Sequence, residues 1–361
     1  MGSRGKVTID ALARELDLAK STVSRALNGY PDIAETTRAR VQAAALASGY
    51  AASSMARNLK RGRVDTVGVV LPGEQLDISS PFLVQFLRGA TRVLETRGID
   101  LLVASAPAPE KWRETYDRLI VTRKVDGFIL TRTLSDDPRV AYLREKAVPF
   151  VAFGRTATSE NFAWLDVDCG AAAAEAVAHL VALGHRRIAH ITASPSVNFA
   201  RIRREAICEK LLALGLYDPT LVAEVGLTAD GGRRATYELM RAEEPPTALI
   251  CDLDLLAFGA MGALRDLGLD VGRDVSVLGY GDVPMAPVHS PPLSTWSQDA
   301  DSAGAWVAEM LLALISGTAP EILQRVRPAG FVRRASDGAP TLDTAALRRR
   351  LAEVPATAFP P

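Results

Sequence analysis

The stretch TIDALARELDLAKSTVSRALN at residues 8–28 decides how the chain reads. Ile9, Leu12, Ala13 and Leu16 recur at helical spacing behind Thr8, whose hydroxyl can cap a first turn, and Val23, Ala26 and Leu27 form a second apolar set. Only Asp17, Leu18 and Ala19 lie between, so two short helices must cross steeply around Leu16, Leu18, Val23 and Leu27. That is helix-turn-helix geometry. The outward face of the second helix, residues 20–28, carries Lys20, Ser21, Thr22, Ser24, Arg25 and Asn28. Short hydrogen-bonding side chains mixed with cations suit base edges and phosphates in a major groove, although a solvated amphipathic hairpin carries the same pattern.

A third helix is expected over residues 35–47, turning Val41, Ala44, Ala45 and Leu46 inward and stopping at Gly49. The octamer SSMARNLK at 53–60 has Ser53 as a cap but is too short to hold a helix alone, so it reads as a conditionally folded hinge or a plain linker. Residues 1–63 hold eleven Lys and Arg against five Asp and Glu, a net of +6, so the other 298 residues sum to −6. A basic module on an acidic body is the footprint of a nucleic-acid reader whose binding weakens with salt.

The order of Thr8, STVSRALN at 21–28, TRARV at 37–41, GY at 49–50 and ARNL at 56–59 resembles the headpiece of the LacI/GalR family of transcriptional regulators. The resemblance implies DNA contacts from the second-helix face together with Thr8, Thr37, Tyr50, Ser53, Arg57 and Leu59, with Leu59 matching the leucine that family members wedge into the minor groove. Where the family commonly has Pro-Asn after the tyrosine, Ala52 and Ser53 stand here.

From Thr66 the texture changes to β-rich runs at 66–72, 100–106, 127–132, 149–155, 187–193, 247–251 and 274–280, alternating with helical stretches at 82–96, 171–183, 203–214 and 255–267. Strict alternation predicts parallel sheets covered on both faces, and seven strands over this length fit two sheet domains. The expected partition is a headpiece at 1–50, a hinge at 51–63, an effector-binding core at 64–336 and a tail at 337–361. Within the core, lobe 1 takes about 64–164 and 293–323, and lobe 2 about 165–292 and 324–336. Open α/β sheets bind ligands beyond the carboxyl ends of their strands, so the inter-lobe cleft is the expected small-molecule site. LGHRRI at 183–188, DLDLLAFGA at 252–260, VSVLGY at 275–280 and PPLST at 291–295 resemble the family's periplasmic-binding-protein-like core.

The resemblance places an effector-gripping arginine at Arg203, with a surface arginine at a helix start as the alternative. Phe82, behind Ser80 and Pro81, matches a family loop facing the cleft and can stack on a sugar or pack in the core. Arg155 at a strand tip reads as a cleft residue or a rim salt bridge; Asn198 and Phe199 offer an amide and a platform, and Thr131 closes another strand. Asp282 follows GY, where the family often has two acids and Gly281 replaces the first here, while Asp254 is either a ligand contact or a helix cap. This polar, aromatic set points to a small carbohydrate, and the FGR strand end with WLDVD at 164–168 looks most like regulators of α-glucoside use.

Cys169, Cys208 and Cys251 lack metal or disulfide spacing and read as small hydrophobes. GxSxG, HExxH and GxxxxGK[ST] are absent, and no apolar run reaches about 18 residues, so no enzyme, cofactor, metal or membrane partner is expected. The prediction is a cytoplasmic, nucleoid-associated homodimer on double-stranded operator DNA, acting as a sugar-controlled repressor. The alternative is a sugar-binding or sugar-modifying protein on the same two-lobe fold. The tail lacks the leucine heptads of tetrameric members and is expected to fray.

Overall fold

The computed structural model describes residues 7–27, 30–48, 50, 63–71, 80–106 and 108–355. They fall in two compact units, Met1–Val64 and Asp65–Pro361. The first holds α1 (Ile9–Leu16), α2 (Lys20–Leu27) and α3 (Glu35–Ser48). The Thr8 hydroxyl accepts from Ala11 N at 3.2 Å, and Asp17, with φ of 51°, closes α1 in the left-handed region that starts the three-residue corner. Leu12, Val23, Ala26 and Val41 are fully buried where the three helices meet. Leu46 corrects the expected inward set of α3. It is 88% exposed, because consecutive helical residues turn by roughly 100° and Ala44, Ala45 and Leu46 cannot share one stripe. The hinge at 51–62, with its proposed residues Ser53, Arg57 and Leu59, lies outside the described residues, as do Asn28 and Gly49.

The second unit contains β1 (Thr66–Leu71), α4 (Pro81–Glu95), β2 (Asp100–Ser105), α5 (Trp112–Val121), β3 (Gly127–Leu130), α6 (Pro138–Glu145), β4 (Phe150–Phe153) and β5 (Ala163–Val167). It continues with α7 (Cys169–Ala182), β6 (Ile188–Thr192), α8 (Asn198–Ala213), β7 (Val222–Glu224), α9 (Ala229–Met240), β8 (Ala248–Cys251), α10 (Asp254–Asp266) and β9 (Ser276–Gly281). The chain then forms β10 (Ser294–Ser297), α11 (Ala300–Ile315), β11 (Gln324–Arg327), β12 (Gly330–Val332) and α12 (Thr344–Ala352). Two six-stranded sheets result, ordered β11-β5-β4-β3-β1-β2 in lobe 1 and β12-β10-β9-β8-β6-β7 in lobe 2. Every pairing is parallel except the short β12, which runs antiparallel to β10. The parallel strands are buried on both faces, which is why they read as unbroken apolar runs.

All seven expected strands are present, and five more were missed: β5, β7, β10, β11 and β12. Their membership moves the lobe boundaries. β5 pairs with β4, so lobe 1 extends to 167 rather than 164. β10 pairs with β9, so the return to lobe 1 comes after 297 rather than at 293, and β11 pairs with β5, so lobe 1 keeps the chain through 327. The physical reason is that β10 and β11 are short and polar, STWS and QRVR, and only hydrogen bonding to a neighbour assigns them to a sheet.

Each lobe has one helix pair in backbone contact. In lobe 1, Cβ atoms on Gly89 or Gly304 would collide with the carbonyls of Asp301 and Phe86, so α4 and α11 touch through glycine. In lobe 2, Gly232 and Gly259 face the carbonyls of Leu256 and Ala229 in the same way between α9 and α10. The expected frayed tail is also corrected through residue 355. Asp343 caps α12 by accepting from Ala346 N at 2.7 Å, and Leu347 and Leu351 bury into the lobe 2 core, which removes the freedom a tail would have. No helix among the described residues is long and apolar enough to cross a membrane.

Candidate functional site

On the headpiece, Val23 and Ala26 fix the inner face of α2, which turns Lys20, Ser21 and Arg25 outward. Lys20 Nζ lies 2.9 Å from Asp10, and Arg25 pairs with Asp32 while its guanidinium sits 5.5 Å from the Tyr30 ring centroid. Exposed pairs of this kind contribute little to stability, so both cations exchange readily to another anion. Thr22, Ser24 and Thr37 are half-buried beside them. Tyr50 packs against the three-helix core.

In the second unit the carboxyl ends of both sheets meet. The turn after β3 and the turn after β6 are joined: Ser135 N donates to Ser196 O at 2.8 Å, Asn198 N to Thr133 O at 3.1 Å, and the Asn198 amide to Arg155 O at 2.7 Å. The same Arg155 carbonyl accepts from Thr133 Oγ1 at 2.8 Å. These bonds tie lobe to lobe at one side of the cleft.

On the lobe 1 side, Phe82 stacks on Phe86 and Phe153, with centroids 6.0 and 5.6 Å apart, at the end of β4. Arg155 Nε donates to Asp166 at 2.7 Å and its guanidinium lies 5.6 Å from the Trp164 ring. Deeper, Arg139 and Asp137 form a buried pair that also holds the carbonyls of Thr131 and Arg132. Next to it the Tyr116 hydroxyl is pushed up to about 12, mainly by burial.

On the lobe 2 side, Arg203 from α8 is 4% exposed. Its guanidinium lies 3.5 Å from the Tyr280 ring centroid and 4.7 Å from Phe199. Burial alone pushes the Asp252 carboxyl up, but His190 and Arg203 beside it bring it below the ordinary carboxylate range. Asp254 differs: burial without a cation in contact raises it to about 6, against hydrogen bonds from Thr295 Oγ1 at 2.5 Å and Val283 N at 2.8 Å. Among the described residues no group of three or more His, Cys, Asp or Glu side chains could hold a metal.

A family model described as a periplasmic binding protein-like domain matches residues 177–336. The HTH-type transcriptional regulator RafR of Escherichia coli is 35% identical over 88% of this chain and 95% of its own length. A solved complex of the transcriptional regulator CelR with cellobiose is 30% identical and superposes with a TM-score of 0.70, covering 92% of this chain and all of that one. The lac repressor dimer bound to operator and the anti-inducer ONPF is 25% identical with a TM-score of 0.82, again over 92% of this chain and all of that one. The chain belongs to the LacI family of transcriptional regulators. It is therefore a regulator and not an enzyme.

In this LacI-family chain the residues singled out for the cleft divide into three groups. Arg203, Phe199, Arg155 and Phe82 stand at strand ends with aromatic or charged faces. Asn198 is engaged in joining the lobes: its oxygen accepts from Arg201 at 3.0 Å while its nitrogen holds the Arg155 carbonyl. Thr131 is 5% exposed with a partnerless hydroxyl, Asp282 pairs with Arg334 at 2.6 Å, and Asp254 neither caps α10 nor faces solvent. Sequence reasoning missed Asp252, His190, Tyr280 and Asp166. His190 interrupts the apolar run of β6, and that lone polar residue in a buried strand was the available signal.

Proposed function

We propose that this chain acts as a cytoplasmic, nucleoid-associated homodimer that represses transcription from a near-palindromic operator, releasing it or gripping it according to a small oligosaccharide held between the lobes. The lac repressor dimer solved on its operator supports the DNA half of the reading, and CelR solved with cellobiose supports the sugar half. The observation that carries the ligand class is the facing of Arg203, Phe199 and Tyr280 in lobe 2 with Phe82, Phe153 and Arg155 in lobe 1. Aromatic faces stack on pyranose rings and the forked cations meet hydroxyls, so an α-glucoside or related sugar is the preferred effector.

The switch follows from the joints. Sugar binding favours one inter-lobe angle, the angle sets the spacing of the two hinges in a dimer, and only one spacing lets both hinges fold on DNA. Coupling of about 1–3 kcal/mol, roughly 5- to 150-fold in affinity, is sufficient. Binding of purified protein to fragments of its own genome, measured by fluorescence anisotropy with and without a disaccharide panel, tests this directly. Sequence-preferring, sugar-sensitive binding is expected, and Leu59→Ala should leave only weak, salt-sensitive binding. A monomer at every concentration, or equal affinity for random DNA, overturns the reading. Recovery of an altered sugar by product analysis favours the sugar-modifying alternative.

A further inference from the structure

The carboxyl ends of β6, β8 and β9 carry a buried polar cluster of which the effector reading uses only the faces of Arg203 and Tyr280. Asp252, 1% exposed, follows β8 directly. Its carboxylate accepts from His190 Nε2 at 2.9 Å, from Thr192 Oγ1 at 2.5 Å and from Ala193 N at 3.4 Å. Three donors from one neighbouring strand and the residue beyond it fix the Asp252 peptide, and the carbonyl of that peptide accepts from Arg203 Nη1. One arm of the guanidinium is thereby tied, and its plane is held over the Tyr280 ring at 3.5 Å.

Polar atoms remain unused in this arrangement. Arg203 Nε and Tyr280 Oη are both buried and have no hydrogen-bond partner within the chain. Buried polar groups in folded proteins are satisfied almost without exception, and one left unmade destabilises more than a made bond stabilises. Two such atoms on stacked side chains, beside the inter-lobe joint, mark a place where something else supplies the partner. Its chemistry is constrained. Arg203 Nε can only donate, whereas a tyrosine hydroxyl donates or accepts, so a group that itself accepts and donates satisfies both. A carbohydrate hydroxyl does this. An anion is disfavoured, because Asp252 and Asp166 both act on Tyr280 or Arg203 at close range and Arg203 already has Asp252 to neutralise it.

We propose that Arg203 Nε and Tyr280 Oη together receive one hydroxyl of a neutral sugar, and that Asp252, braced by His190 and Thr192, is the positioning residue that aims Arg203 at it. This rests on the cleft being the effector site and adds to it a contact, Tyr280, and a support, Asp252. It also makes a prediction that a packing role does not. Tyr280→Phe removes an oxygen that has no partner in the unliganded chain, so folding stability should stay level or rise while sugar affinity falls.

The test uses the full chain and calorimetry with cellobiose, maltose, trehalose and melibiose, followed by the monodeoxy forms of whichever binds. The wild type should bind at least one of them. Tyr280→Phe should bind that sugar roughly 10- to 100-fold more weakly with an unchanged or higher urea midpoint. One monodeoxy form should bind the wild type and the variant equally, because the hydroxyl it lacks is the one Tyr280 contacts. Asp252→Asn should weaken the same sugar and blunt the discrimination against that monodeoxy form. Wild-type affinity in Tyr280→Phe, or an equal ratio between the two proteins for every deoxy form, overturns this inference alone. Failure of the wild type to bind any sugar of the panel overturns the effector reading and this inference with it.

Discussion

In lobe 1 the charges near the strand ends are matched one to one. Arg139 lies on Asp137 and Arg155 on Asp166, and the described polar atoms left buried without partners are two neutral hydroxyls, those of Tyr116 and Thr131. In lobe 2 the same sheet order carries His190, Asp252, Arg203, Tyr280 and Asp254 in one neighbourhood, and there the atoms without partners include a guanidinium nitrogen and an imidazole nitrogen. Equal architecture therefore does not mean equal duty. Lobe 1 is electrically closed, a platform, whereas lobe 2 holds charge in readiness for something that arrives. An interior that leaves cations partly unsatisfied is less stable than one that pairs them, and this is tolerated where a ligand supplies the difference.

The largest expected effect probes the closed lobe. Asp137→Ala strands Arg139 in an apolar interior and should destabilise the chain by about 3–5 kcal/mol, read as a lower urea midpoint; a loss below about 1 kcal/mol would mean that the pair is wetter than its burial indicates. Next comes the carboxyl in lobe 2 with no cation in contact. Asp254 titrates near 6 in the fold against 3.8 for an ordinary aspartate, so the folded chain binds that proton more tightly. Its contribution to stability is present below the ordinary value and is lost as pH rises from about 4 through about 6. Asp254→Asn removes this slope, so wild type should lose up to about 3 kcal/mol relative to the variant across that window, as measured by urea melts at stepped pH. Parallel curves for the two proteins would show that Asp254 stays charged.

The glycine contacts sharpen the architectural half of the comparison. Gly304→Ala in lobe 1 and Gly259→Ala in lobe 2 should each cost about 1–3 kcal/mol by forcing a helix pair apart, and similar values would show that the lobes are equivalent in packing while differing in charge. Smallest is the exposed pair on α8. Glu205→Gln should move stability by about 0.3–0.5 kcal/mol, since Arg201 keeps its bond to Asn198. A larger loss would place Glu205 in the inter-lobe joint rather than on its margin.

How much of this was legible in the sequence depends on the range of the interaction. The headpiece helices and the apolar strands were readable because each is decided within a few residues: Thr8 and Asp17 mark ends, and β1, β3 and β8 are continuous apolar runs. β10, β11 and β12 were not, since STWS, QRVR and GFV become strands only by pairing with β9, β5 and β10. The tail reads as polar and charged, and the two leucines that dock it to lobe 2 are visible as anchors only once the groove exists. In the cleft, Arg155, Phe199 and Arg203 were reachable from their positions at strand and helix ends. Asp252 was not, because its importance lies in holding a neighbour through its own peptide carbonyl, a relation that no spacing in the sequence encodes.

Arg327 ends a strand of one sheet and Gly330 begins a strand of the other, with only Pro328 and Ala329 between them. Proline fixes its own φ near −65°, so this strap has few torsions left to turn. Any swivel of the halves must pivot here over a short arc, like a door on a stiff leaf spring, and the angular travel available to an effector is correspondingly small and well defined.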